Sequence, residues 1–315
     1  MAGSPVKTAR AEDPPSSAAA SPALAGPLAT WAARVSRRLP ELIPPASQRP
    51  EPVHQAMQYA LTGAGKRVRP VLTLAVADLF GCRSEPVLDL ACAVEMVHAC
   101  SLVLDDLPSM DDAALRRGRP TVHRVYGESV ALLAALALLN RAYALVAEAA
   151  HRLALRRYTT EDVVHHLAAA IGSDGLIGGQ ALDLLASPGE MSLDVLEYIH
   201  SHKTGALFMA AGELGAMAAE ARRRDLEVIA RFAKNLGLAF QISDDLLDVL
   251  GTPEETGKDT GKDVDKVTFV KLLGVPGAQA LAAELLGFAV DSLAPLGRKA
   301  DPLRDIVRFV QHRSR

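Results

Sequence analysis

The stretch "SLVLDDLPSMDDAALRRGRP", residues 101–120, begins as an apolar helix and ends by gathering four aspartates and three arginines. Asp105, Asp106, Asp111 and Asp112 close a greasy run, and Arg116 and Arg117 follow at once. Pro108 must loosen the helix end, because proline has no N–H to donate and its ring clashes with the preceding turn. Asp105 and Asp111 can therefore converge from a helix terminus and the turn after it. A solvated helix end would account for one such cluster. A second, "ISDDLLD" at 242–248, lies inside a strongly helical stretch. There a spacing of four puts Asp244 and Asp248 on one face, a single turn apart.

Helix signals surround these two clusters. The chain has 315 residues, 49% hydrophobic but only 4% aromatic. Its long segments are rich in Ala and Leu rather than Val, Ile and Thr, which favours helices over strands. No useful length shows the period-two alternation of half-buried strands, so the fold class is all-α. Ser84 and Pro86 start a long apolar helix that runs to about residue 107. Thr159 with Asp162, and Ser192 before another apolar run, mark two further starts. Other helices are expected over 24–39, 53–63, 69–80, 128–150, 225–250, 276–294 and 303–312. With no internal repeat and no linker after residue 50, residues 27–315 read as one helical domain. Residues 1–26, mostly small residues, proline and charge, read as a disordered tail. The greasiest run, "VALLAALALL" at 130–139, stops at Asn140 and Arg141. That is about half of the ~20 residues a membrane span needs, so a buried helix is expected and no integral membrane segment.

Net charge is −3 with a pI near 6.3, which gives no general pull toward nucleic acid. Cys82, Cys92 and Cys100 form no CxxC pair, and free thiols in a reducing cytoplasm are expected.

Hard oxygen ligands without His or Cys suit Mg²⁺, which shares its coordination sphere with substrate phosphates. Such a site also needs cations for the phosphate oxygens, and the sequence supplies them. "GAGKRVRP" carries Lys66, Arg67 and Arg69; "LRRG" carries Arg116 and Arg117; "SHKTG" carries Lys203; "TGKDTGKDVDK" carries Lys258, Lys262 and Lys266. The planar fork of arginine matches phosphate oxygens in pairs. Arg222, Arg223 and Arg224 read as a solvated face.

From about Leu61 to Lys271 these motifs resemble the trans-type, head-to-tail isoprenyl diphosphate synthases. "DDLPSMDDAALRRGRPT" has the two-residue insertion between acidic pairs seen in bacterial farnesyl and in plant and carotenogenic geranylgeranyl synthases. "CAVEMVHACSLVLDD" and "TGKDTGKDVDKVTFVKLLG" are most similar to bacterial geranylgeranyl diphosphate synthases of carotenoid pathways. The resemblance implies an all-helical bundle around a central cavity, in a homodimer. It implies that Asp105, Asp111 and Asp244 hold a cluster of three Mg²⁺ ions on an allylic diphosphate, with Asp106, Asp112, Asp245 and Asp248 as supporting carboxylates. Arg116 would contact the same diphosphate. Lys66, Arg69, His98 and Arg117 match the positions that bind isopentenyl diphosphate. Lys203, Thr204 and Gln241 match those beside the ionising allylic carbon, and Lys258 matches another diphosphate contact. Gln180 and Asp183 in "GGQALD" belong to a further family motif.

The implied chemistry is ionisation of dimethylallyl, geranyl or farnesyl diphosphate, attack by the isopentenyl double bond, and proton loss to the departing diphosphate. Relatives that stop at C15 usually place an aromatic residue four or five positions before the first aspartate. Here those positions are Ser101 and Cys100, both small, which favours a C20 product over C15. Two positions depart from the family pattern: Leu104 stands where many members have His, and Val270 where Pro is frequent.

Three other readings compete. Glu95-Met-Val-His98 and Glu197-Tyr-Ile-His200 are ExxH pairs such as carboxylate-bridged di-iron bundles use, although two further buried glutamates are missing and the arginines stay unexplained. A class I terpene cyclase would share the first aspartate motif but should replace "DDLLD" with an Asn/Asp-x-x-Ser/Thr-x-x-x-Glu element. A non-catalytic subunit of the same fold usually loses one aspartate motif, and both are intact here.

Overall fold

The computed structural model describes residues 24–187, 189, 191–250 and 267–313. Lys258, Lys262, Lys266 and Arg315 lie outside them, as do residues 1–23.

The helices follow one another as α1 (Gly26–Arg38), α2 (Glu51–Thr62), α3 (Val68–Leu79), α4 (Glu85–Asp105), α5 (Val122–Tyr126), α6 (Glu128–Leu153), α7 (Thr160–Ile171), α8 (Leu176–Leu185), α9 (Leu193–His200), α10 (Ala206–Ala218), α11 (Arg223–Leu250), α12 (Phe269–Ser292) and α13 (Asp301–Arg313). Among the described residues the only strands are β1 (Leu115–Arg116) and β2 (Arg119–Pro120), an antiparallel ribbon that the sequence reading did not anticipate.

Helix α4 is the axis of the core. It is apolar all round rather than along one stripe, as a helix enclosed by others should be. It packs against α6 along its length and against α3 and α10. Ala131, Ala134, Ala135 and Ala142 on α6 are fully buried, and their small side chains let the two backbones come close. Helix α10 approaches α3 closely enough that a Cβ on Gly215 would sit 2.4 Å from the Thr73 carbonyl oxygen. Helix α11 then packs between α10 and α12.

Two acidic side chains are buried within α4, and both are paired, as burial of a charge requires. Asp89 accepts from Arg38 Nε at 2.8 Å and from Arg152 Nη1 at 2.7 Å. Glu95 accepts from Arg67 Nη1 at 2.5 Å.

Local signals are realised with two differences. Thr159 and Asp162 form a complete capping box, and Ser192 Oγ accepts from the N–H of Val195. Ser84 stands at the N-cap of α4, but its hydroxyl lies 3.4 Å from Cys82 Sγ rather than on a helix N–H. Helix α12 begins at Phe269, seven residues before the expected 276, because Thr268 caps it through the N–H of Lys271. The backbone breaks at Gly274 (φ 69°), and Pro276 opens the long part of the helix.

By length and composition α4, α6 and α12 are each apolar enough to cross a membrane. Helix α6 runs straight through Asn140 and Arg141, where its apolar segment was expected to stop. Arg141 is accommodated by donating to the Leu42 carbonyl at 2.8 Å and pairing with Glu148 at 2.7 Å. Among the described residues the exposed Arg223 and Arg224 pair with the nearby Glu227 and Asp225, a solvated face as expected.

Candidate active site

The first aspartate cluster is shaped by backbone hydrogen bonds as much as by sequence. Helix α4 ends at Asp105, and the chain folds back so that the N–H of Asp111 donates to the Asp105 carbonyl at 2.9 Å. The N–H of Asp112 reaches the Leu107 carbonyl at 3.1 Å, and Thr121 Oγ1 donates to the Ala113 carbonyl at 2.8 Å. Asp105 and Asp111 therefore do lie together across Pro108.

The ribbon that follows places Arg116 and Arg117 over this turn. Arg116 donates through Nε at 2.9 Å and Nη2 at 2.5 Å to Asp106 Oδ1. Asp106 is buried, which raises its pKa, and the Arg116 contact opposes that rise. Asp112 faces outward and accepts from Arg124 at 3.0 Å.

The two aspartate clusters act on adjacent arginines. The field of Asp105 and Asp111 reaches Arg116, and that of Asp244, on α11, reaches the adjacent Arg117. Burial lowers the pKa of Arg117, Glu95 raises it, Arg67 and Arg116 lower it, and Asp244 raises it. Arg117 also needs Gly65: a Cβ there would lie 2.5 Å from Arg117 Nη1. The cavity between α2, α4 and the ribbon is lined by His98, Ala99, Leu102, Asp106, Arg116 and Arg117, among others.

His98 is held neutral. Burial is the main cause, and Arg69, Arg117, Arg116 and Arg67 each push its pKa further below the ordinary histidine range. Its Nε2 lies 3.5 Å from Arg69 Nη1. The Arg69 guanidinium stacks over the Phe208 ring at 4.4 Å, and Lys66 sits 5.6 Å from the centre of the Phe309 ring on α13. The basic C-terminal helix thus passes beside the Lys66 turn.

Arg67 does not join the open cations. It adopts a left-handed backbone (φ 52°), pairs with Glu95, and donates through Nη2 to the carbonyls of Leu61 at 2.6 Å and Gly63 at 3.1 Å. It is a buried strut that shapes the turn carrying Lys66. The same pairing occupies Glu95, which removes the first ExxH pair from a di-iron reading.

A π-helical turn, Ser201–Gly205, joins α9 to α10. Such turns recur at functional sites because they turn side chains out of the regular helical phase. Two glycines make room for it. A Cβ on Gly179 would lie 2.2 Å from the Lys203 nitrogen, and one on Gly237 would lie 3.1 Å from Gly205 Cα. Lys203 Nζ donates to Asp183 Oδ2 at 2.7 Å, which gives the "GGQALD" motif a structural reason. Gln180 Nε2 lies 3.7 Å from Met110 Sδ, so α8 also touches the first aspartate turn. Thr204 Oγ1 donates to Gln241 Oε1 at 2.9 Å, and Gln241 Nε2 donates to Asp245 Oδ1 at 3.0 Å. Burial lifts the Asp245 carboxyl to a pKa of about 7; the hydrogen bonds from Gln241 and the Phe269 N–H oppose this, and Asp244 and Asp248 add to it. Asp248 is exposed near the end of α11.

Among the described residues no three His, Cys, Asp or Glu side chains form a ready-made metal cage. The donor set nonetheless fits Mg²⁺, which takes one or two carboxylates and completes its octahedron with water and substrate phosphate.

The chain matches the family model described as polyprenyl synthetase over residues 50–285. It belongs to that family. Among curated proteins, this polyprenyl synthetase is 43% identical over 268 residues to a chloroplastic geranylgeranyl pyrophosphate synthase of Capsicum annuum, covering 84% of this chain and 72% of the relative. It is 41% identical over 281 residues to the large subunit 1 of a chloroplastic heterodimeric geranylgeranyl pyrophosphate synthase of Arabidopsis thaliana, covering 85% and 75%. Among solved structures, an FPP/GFPP synthase from Zymomonas mobilis superposes with a TM-score of 0.77 at 32% identity, covering 90% of this chain and 96% of the other. A geranyltransferase from Helicobacter pylori, complexed with magnesium and isoprenyl diphosphate, gives 0.78 at 30%, covering 91% and 97%.

Proposed function

We propose that this polyprenyl synthetase condenses isopentenyl diphosphate with allylic diphosphates, dimethylallyl through farnesyl, and releases geranylgeranyl diphosphate. The observation that carries the reading is the match to the polyprenyl synthetase family over residues 50–285, which contains both aspartate clusters and their flanking arginines. Asp105, Asp111 and Asp244, supported by Asp112 and Asp248, would hold a cluster of three Mg²⁺ ions. Bound there, magnesium would neutralise charge on the leaving diphosphate.

The protein's own groups divide the remaining work. Arg116 keeps Asp106 with Nε and Nη2 and offers Nη1 to a phosphate oxygen. Lys66, Arg69 and Arg117 hold the isopentenyl diphosphate, with Lys258 as a further contact to the allylic one. His98, kept neutral, offers polarity to that site without a further positive charge. Thr204 and Gln241, beside Lys203, set dipoles against the carbon that becomes cationic. Below Asp105 the walls are apolar, which keeps water from capturing that cation.

Product length follows from depth. Cys100 is buried and Ser101, whose hydroxyl donates to the His98 carbonyl at 2.9 Å, lies one turn below Asp105. Neither blocks a chain that grows past C15. The relatives named geranylgeranyl pyrophosphate synthases, at 41–43% identity, support the same length.

The protein works as a homodimer through the exposed face of α6, where Leu132, Leu133 and Leu136 are 45–53% exposed side by side. The unpaired Cys82, Cys92 and Cys100 support a reducing compartment such as the cytoplasm, and the resemblance of "CAVEMVHACSLVLDD" to carotenoid-pathway synthases supports service in carotenoid synthesis.

The test is an assay with labelled isopentenyl diphosphate, Mg²⁺ and each allylic starter, with products sized after dephosphorylation. A C20 alcohol from all three starters is expected. Products ending at C15, with farnesyl diphosphate left unextended, would replace this reading with that of a farnesyl synthase.

A further inference from the structure

The ribbon that carries Arg116 and Arg117 is tied down strand by strand. Strand β1 is held through Arg116 on Asp106. Strand β2 is held from α2: Tyr59 Oη donates to the Pro120 carbonyl at 2.7 Å, and the Arg119 guanidinium lies 4.0 Å from the centre of the Tyr59 ring. The Tyr126 ring packs edge-on against the same ring at 5.7 Å. Across the ribbon Pro120 pairs with Leu115 and Arg119 with Arg116. The two residues between, Arg117 (φ 54°) and Gly118 (φ 74°), both take the left-handed backbone of the tight turn whose twist matches paired strands. Glycine adopts that backbone freely. An arginine keeps it only while the structure around it stays seated.

We propose that Tyr59 is a positioning residue that seats the ribbon on α2 and so fixes Arg117 at the spacing from Lys66 that binding of isopentenyl diphosphate requires. Helix α2 leads, four residues after Tyr59, into the turn 63–66 that ends in Lys66. The hairpin arginines rest on that turn: a Cβ on Gly65 would lie 2.5 Å from Arg117 Nη1, and one on Gly63 would lie 3.8 Å from Arg119 Nη1. Tyr59, His98, Arg117 and Arg119 line one cavity. The clamp and the turn that carries Lys66 thus belong to one continuous piece of chain, and the phenol reaches from it to the far strand of the ribbon. A stacked ring tolerates sliding, whereas a hydrogen bond demands a narrow distance and direction, so the hydroxyl sets the position and the ring supplies the contact. Arg116 has its own anchor in Asp106, so a loosened β2 should be felt at Arg117 and little at Arg116. The inference rests on the prenyl-transfer reading, in which Arg117 holds isopentenyl diphosphate and Arg116 the allylic one.

Tyr59→Phe tests the hydroxyl alone, because it keeps the ring with its Arg119 and Tyr126 contacts and should fold. Hydrogen exchange reads the clamp without any substrate: the amides of residues 115–121 should exchange roughly 2- to 10-fold faster, the worth of one neutral hydrogen bond, while those of α4 and α6 keep their rates. Steady-state kinetics reads its use. KM for isopentenyl diphosphate should rise by a similar factor of roughly 2 to 10, with kcat and KM for farnesyl diphosphate unchanged, the pattern of lost uniform binding of one substrate.

A second variant shows whether the effect passes through Arg117. Arg117→Gly suits the left-handed turn and removes the guanidinium, and should by itself raise KM for isopentenyl diphosphate on the order of 10- to 100-fold. Adding Tyr59→Phe to it should raise that KM no further, because two changes that act through one side chain do not add. Loss of the fold in Tyr59→Phe, unchanged exchange in the ribbon, an unchanged KM for isopentenyl diphosphate, an equal rise for both substrates, or additive effects in the double variant would each overturn the proposal. If the unaltered protein incorporates no isopentenyl diphosphate, the prenyl-transfer reading has failed, and the exchange rates alone then decide whether Tyr59 holds the ribbon.

Discussion

The two aspartate-rich segments carry the same doublet and treat it alike in one respect and differently in another. In each, the first aspartate, Asp105 or Asp244, stays half-buried, while the second, Asp106 or Asp245, is sunk to 2% or 6% exposure. The partners differ. Asp106 is met by a charge, Arg116, from the ribbon that follows it. Asp245 is met by two neutral donors, an amide side chain and a backbone N–H at the head of α12. A doublet thus divides: its second carboxylate is tied into the wall, which leaves the first for the metal-binding role proposed above. The partner decides what the fastening depends on, an ion pair in one wall and a directed hydrogen-bond chain in the other.

The split is tested hardest at the first aspartates. Asp105→Ala or Asp244→Ala should lower kcat on the order of 10³-fold at saturating Mg²⁺ without loss of thermal stability. Equal losses of stability in these variants would erase the distinction between the members of a doublet. Next comes the ion pair itself. Arg116→Ala leaves Asp106 buried and uncompensated, and should cost ~3 kcal/mol in urea unfolding, in addition to weaker diphosphate binding. An unfolding curve that matches the unaltered protein would show that the pair fastens nothing.

A smaller effect is expected along the floor below Asp105, which only the first segment provides. Cys100→Phe or Ser101→Phe should move the main product from C20 to C15, a discrimination on the order of 1–3 kcal/mol read by chromatography of the dephosphorylated alcohols. Unchanged chain length would move the floor elsewhere. The smallest amplitude belongs to a slope with pH. The Asp245 carboxyl, lifted to about 7 from 3.8, contributes stability that is complete below about pH 4 and is lost as pH rises through 7. Metal-free protein should therefore lose stability across that window. Asp245→Asn should flatten the curve, and an identical curve for both proteins would remove the burial argument.

Much of this was legible in the sequence. Helix starts were readable because capping is local: Thr159 and Asp162, Ser192 and Pro86 act within one turn. The second cluster was readable because the four-residue spacing of Asp244 and Asp248 fixes a helical face. What escaped the reading depends on groups brought together from far along the chain. The π-turn at Ser201–Gly205 exists because Gly179 and Gly237 admit close backbone contact, and no local pattern marks it. Arg67 looked like one more phosphate ligand beside Lys66 and Arg69. Only the buried Glu95, 28 residues on, shows that it is a strut. Asp183 was part of a motif without a partner until Lys203 was found on it. Leu104 and Val270, the two departures from the family pattern, are accommodated by packing, Leu104 partly buried against the core and Val270 buried in the first turn of α12.

The central claim is that Asp105, Asp111 and Asp244 share metal ions around one diphosphate while Asp106 and Asp245 remain in the walls. A crystal structure with a non-cleavable allylic diphosphate and Mn²⁺ in place of Mg²⁺, read by anomalous scattering, tests it directly. The account predicts metal peaks bridging phosphate oxygens to the carboxylates of Asp105, Asp111 and Asp244, with Asp106 still on Arg116 and Asp245 still on Gln241 and Phe269. Peaks on Asp106 or Asp245, or metal at one cluster only, would contradict it.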